Sequence, residues 1–76
     1  MERYRNRSGK SVVQSFEIGQ DSITVQFRNE PYDYLYTTNS AGNYNIDQMK
    51  TLARSGTGLA TFINRHVQKK YASKSR

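Results

Sequence analysis

The run Ile23–Tyr36, ITVQFRNEPYDYLY, constrains this chain more than any other stretch. Ile23, Val25 and Phe27 alternate with Thr24 and Gln26, the period of two that marks a half-buried strand. Tyr32, Tyr34 and Tyr36 alternate with Asp33 and Leu35 and predict a second strand. The polar connection Arg28-Asn29-Glu30-Pro31 has the length that reverses a chain, and proline, which has no N–H to donate, fits the first residue of a strand. The expectation is a hairpin with an aliphatic-aromatic stripe on one strand and three tyrosines on the next. Those tyrosines either close a core or wait for a partner, and packing is expected for Tyr32 and Tyr34. Tyr36, near the strand end, is the one expected at the surface.

Val12, Phe16 and Ile18 predict an earlier strand over residues 11–18, and Gly19-Gln20-Asp21 turns the chain into the next one. Residues 11–18, 22–28 and 31–37 thus form a three-stranded antiparallel meander. Residues 37–43 are rich in turn formers and read as a loop. Asn45 or Asp47 then caps a helix over 46–55, whose stripe is Ile46, Met49, Leu52 and Ala53. Gly56 stops that helix, and Thr57 caps a second one running to Tyr71. Its stripe is Leu59, Phe62, Ile63, His66 and Val67, opposite a polar face of Thr61, Asn64, Arg65, Gln68 and Lys69. The predicted fold is α+β, a three-stranded meander followed by two helices packed on one face. It is a single domain over 11–71, with a basic flexible arm at 1–10 and a basic tail at 72–76.

Only 34% of the 76 residues are hydrophobic, so the core needs nearly every large side chain in those elements. That scarcity makes a homo-oligomer a reasonable expectation. The chain has no cysteine, which removes disulfides and thiolate metal sites. It also has no apolar run long enough for a membrane span, and a cytoplasmic protein is expected. The net charge of +6 is unevenly placed. Arg3, Arg5, Arg7 and Lys10 against Glu2 give +3 in residues 1–10, and Arg65, Lys69, Lys70, Lys74 and Arg76 give +5 in 65–76. The intervening body is −2. A near-neutral body with two basic ends suits a phosphate backbone.

Arg65 and Lys69 lie one helical turn apart, with Lys70 and Lys74 beyond them, so they can follow successive phosphates. Tyr36 adds a ring on which a base can stack, an interaction worth about 1–3 kcal/mol per base. Ser55-Gly56-Thr57-Gly58 reads mainly as a tight turn between helices, and Gly9-Lys10-Ser11 lacks the first glycine and the preceding strand of a phosphate-binding loop. The lone His66 falls on an apolar stripe and reads as a packed histidine. No nucleophile, base and oxyanion donor come together, so the residues predict a non-enzymatic protein with neither cofactor nor metal.

Several motifs, in order, resemble the KTSC domain, found at the C-terminus of some lysyl-tRNA synthetases and as a stand-alone bacterial protein. Val25 and Phe27 look like its strand ending, Tyr32-Asp33-Tyr34 like its central Tyr-x-Tyr, and Ala53–Gly58 like its Ala-x-Ser-x-Gly junction. Ile63-Asn64-Arg65-His66-Val67 with Tyr71 is similar to its closing segment. The Val-Pro that usually follows the tyrosines is missing, and Ile63 stands where an aromatic is common. The family has no established activity, and the resemblance implies RNA binding. The expectation is therefore an RNA-binding module, RNA before DNA, using Arg3, Arg5, Arg7, Tyr36, Arg65, Lys69, Lys70 and Lys74. The alternative is a protein-binding module or inhibitor of the phage or mobile-element type. It would dock through Tyr34, Tyr36, Tyr44 and the 37–45 loop.

Overall fold

A computed structural model describes residues 1–75. Arg76, the last base of the predicted tail, lies outside the described residues. Three strands, β2 (Val13–Ile18), β3 (Ser22–Phe27) and β4 (Asp33–Thr37), form the antiparallel centre of the sheet. Their register places Phe16 opposite Val25 and Val25 opposite Tyr34, and Ile18 opposite Ile23 and Ile23 opposite Tyr36. Because side chains alternate faces along a strand, this register gathers the apolar set on one side.

The three-stranded meander with two following helices is nevertheless overturned. The sheet has five antiparallel strands in the order β1-β2-β3-β4-β5, with β1 (Glu2–Arg3) before the helices and β5 (Ser73–Ser75) after them. Both added strands are short and exposed, and neither has the apolar alternation by which a strand is read from sequence. Each is tied down by one tyrosine beside it. Tyr4 is 3% exposed, and its hydroxyl oxygen accepts the Leu59 N–H at 3.3 Å. Tyr71 packs edge-on against Tyr34, with ring centroids 5.0 Å apart. Residues 1–7 are thus docked rather than a free arm.

Helices cover one face. Thr37 opens α1 (Thr38–Ala41) with a capping box, its hydroxyl accepting the Ser40 N–H while the Ser40 hydroxyl accepts the Thr37 N–H. The expected 37–43 loop is therefore partly helical. Next, α2 (Asn43–Ser55) starts three residues before the expected boundary, capped by Gly42 rather than by Asn45 or Asp47. It buries Ile46, Met49 and Ala53 on the sheet. Gly56 ends it in the left-handed conformation, φ +79°, where a Cβ would meet the Arg5 Cβ at 2.6 Å. Glycine is needed there for both reasons.

The last helical segment, α3 (Leu59–Phe62), runs directly into a π-helix at Ile63–Val67 and ends there, short of Tyr71. Leu59, Ile63 and Val67 enter the core as predicted. The wider π turn swings a residue three positions along away from the stripe. His66 is consequently exposed, stacked on Phe62 at 4.6 Å between centroids, and the packed histidine expected there is corrected. Among the described residues no helix is long and apolar enough to cross a membrane.

Candidate nucleic-acid interface

The helical layer does not reach the end of the sheet where β3 turns into β4. A groove is left between that turn, the segment before β2, and the π-helix. One part is a cavity of about 360 Å³ lined by Phe27, Tyr34 and Tyr71 and by the polar side chains of Asn64, Gln68 and Lys69. A second depression of about 320 Å³, lined in part by Lys10, Ser11 and Thr61, shares Val12 and Asn64 with the first. The two adjoin at Val12 and Asn64 and together form a trough in which Lys10 lines one part and Lys69 the other.

Local sequence explains the walls. Tyr34 faces the helical side because Val25, directly across the ladder, does. Its ring meets Phe27, Tyr71 and Tyr32 edge-on at 5.5, 5.0 and 6.5 Å, an aromatic hub with part of its surface open. The Tyr34 hydroxyl donates to the Glu30 carboxylate on the turn. That bond, reinforced by burial and by the carboxylate charge, pushes the phenol up to about 12. On the far wall Asn64, Gln68 and Lys69 belong to the face opposite the Leu59/Ile63/Val67 stripe, and all three are exposed.

The predicted site residues scatter. Tyr36 is 2% exposed, so it belongs to the core and reaches the cavity only with that sliver of its surface, too little for a base to stack on. The expectation that it is the exposed tyrosine is corrected. Its partner across the ladder is Ile23, in the middle of the covered face, which explains the burial and a phenol raised to about 12 chiefly by it. Arg7 is committed to α2: its Nε donates to the Ser55 carbonyl at 2.7 Å and its N–H to the Gly56 carbonyl at 2.8 Å. Arg5 lies beside Gly56, and Arg3, opposite Ser15, lies on the uncovered sheet face. That face carries a polar ladder in which Ser15 donates to Gln26, and Gln26 to Asp33.

At the other edge of the sheet, Lys74 places its ammonium 4.8 Å from the Tyr32 ring centroid. Arg65 and Lys70 are exposed without lining the trough. Tyr44 is 72% exposed in the first turn of α2 and does not join Tyr34 in one surface, because α1 and α2 leave from the opposite end of β4. The 37–45 docking loop is thus α1 and the start of α2. Of the residues singled out from sequence, Tyr34, Tyr36 and Lys69 line the trough, Tyr36 with only 2% of its surface exposed. Lys10, Glu30, Asn64, Gln68 and Tyr71 were not picked as site residues. The polar helix face already contained Asn64 and Gln68, and that pattern was the available signal.

No family model matches this chain, and neither a curated protein nor a solved structure is significantly similar to it. The likeness to the KTSC domain therefore rests on the order of short motifs. Among the described residues no three His, Asp or Glu side chains gather in a way that could hold a metal ion.

Proposed function

We propose that this chain is a non-enzymatic RNA-binding module that lays a single strand along the trough. The observation that carries the reading is the trough itself, in which aromatic rings, side-chain amides and Lys69 line one part and Lys10 lines the adjoining one. Unpaired bases offer their faces to aromatic rings and their edges to amides, while lysines hold the flanking phosphates. An aromatic pocket alone would also suit an apolar peptide. The net charge of +6 and the paired lysines favour a polyanion. The motifs that resemble the KTSC domain add support, since Phe27, Tyr34 and the pair Asn64 and Tyr71 come from three separate motifs and meet in this trough.

The test is fluorescence anisotropy with short single-stranded and duplex RNA of mixed sequence at two salt concentrations. Single strands are expected to bind more tightly than duplex, with affinity falling as salt rises. Absence of binding to every oligonucleotide in dilute buffer would remove the reading.

A further inference from the structure

One residue of the trough does not serve a phosphate backbone. Glu30 lines the same cavity as Lys69, and a carboxylate there repels phosphate. It is held in place, because the Tyr34 hydroxyl donates to it. An ionised carboxylate has about four lone-pair sites, so the bond to Tyr34 leaves most of its acceptor capacity unused. The cavity beside it is aromatic and, at about 360 Å³, falls in the range of about 300–1,000 Å³ typical of small-ligand sites.

The four bases differ in what they show to such an acceptor. Guanine presents two adjacent donors on its Watson–Crick edge, the ring N1–H and the exocyclic amino group. Adenine and cytosine each place a ring acceptor next to their amino group, which a carboxylate repels. Uracil has one N–H between two carbonyls. On this chemistry guanine fits best. Its O6 and N7 are acceptors and require donors elsewhere, and the side-chain amides of Asn29 and Gln68 line the same cavity. Lys69 remains for the phosphate.

We propose that the Tyr34–Tyr71 cavity is a guanine site, in which the Glu30 carboxylate accepts from the Watson–Crick edge, the rings pack against the base, and Lys69 meets the attached phosphate. Tyr34 is also a positioning residue, because its hydroxyl fixes the carboxylate before the ligand arrives. The idea rests on the RNA reading for its biological ligand, but the site is testable with a mononucleotide.

The probes are 5′-GMP, 5′-AMP and inorganic phosphate, titrated into isotope-labelled protein while the side-chain amide signals of Asn64 and Gln68 are followed by NMR. GMP is expected to bind at least about fivefold more tightly than AMP, the lower end of what one well-placed pair of hydrogen bonds discriminates. Glu30→Gln should erase that difference. Glu30 is exposed, so the variant keeps the fold, and an unchanged amide spectrum verifies this. Tyr34→Phe keeps the ring and should weaken GMP more than AMP. Equal affinity for GMP and AMP, discrimination that survives Glu30→Gln, or shifts produced equally by phosphate alone would each overturn the guanine site. Salt-dependent RNA binding with GMP no better than AMP would leave the RNA module standing and remove only this proposal. GMP binding without any oligonucleotide binding would remove the RNA module and keep the site.

Discussion

Phenols supply the sharpest readouts at the scale of single residues. Tyr34 and Tyr36 are both pushed up to about 12, the first mainly by its bond to Glu30 and the second mainly by burial. An unfolded chain releases such protons near pH 10. Between pH of about 10 and 12 the folded protein therefore holds protons that the unfolded one has lost. The associated stability is intact below about pH 10 and disappears as pH rises towards about 12. Thermal melts should show this as a falling midpoint, shallower in Tyr36→Phe. An equal fall in that variant would exclude Tyr36 as a source. Following phenolate absorbance, Glu30→Gln should return the Tyr34 titration towards its ordinary value and leave Tyr36 late. Tyr4 works through a different bond. Tyr4→Phe keeps the buried ring but leaves the Leu59 N–H without its acceptor. A loss of about 1–3 kcal/mol in urea unfolding is expected, the usual cost of an orphaned buried donor. An unchanged midpoint would mean that the ring alone docks the N-terminal segment.

The elements show which parts of a fold an amino-acid pattern can reveal. Strands β2, β3 and β4 and helix α2 were legible because each buries one face, and burial forces a period on the sequence. Glu2–Arg3 and Ser73–Ser75 bury nothing, so backbone pairing alone defines them and they leave no periodic trace. Lone aromatics in charged surroundings, Tyr4 and Tyr71, were the only available hint. The trough was half legible for the same reason. The polar helix face was visible, but which loop faces it depends on where the last helix ends and on its π turn, and neither has a local signature here. The two edges should nonetheless differ in worth. Removing residues 1–7 deletes Tyr4, and losing a buried aromatic ring costs about 3–5 kcal/mol. Removing the chain from Ser73 onwards gives up the exposed β4–β5 pairing and the Lys74–Tyr32 contact, the latter about 0.5–1 kcal/mol, but no buried side chain among residues 73–75. Urea midpoints of the two truncations, compared with the full chain, should rank in that order. Equal losses would show that β5 contributes more than its exposure suggests.

Over the whole molecule, the charge at the two ends does not act as one patch. Strands β1 and β5 lie at opposite edges of the sheet, four inter-strand spacings apart, or roughly 19 Å at about 4.8 Å each. That exceeds the screening length of about 8 Å at physiological salt. Arg3 on β1 and Lys74 on β5 therefore belong to separate regions, and neither Arg3 nor Arg5 lines the trough. Lys10 lines the trough in their place, since the chain between Arg7 and Val13 carries it there after Arg7 has fastened to the end of α2. Each phosphate contact made to a single strand contributes about 0.7 to the slope of log affinity against log salt. Lys10→Ala with Lys69→Ala should flatten that slope by about 1.4 for single-stranded RNA, whereas Arg3→Ala with Arg5→Ala should leave it nearly unchanged. All four side chains are exposed, so neither pair of substitutions threatens the core. The opposite ranking would move the polyanion out of the trough and onto the β1 edge, where Arg3, Arg5 and Arg28 surround Gln14.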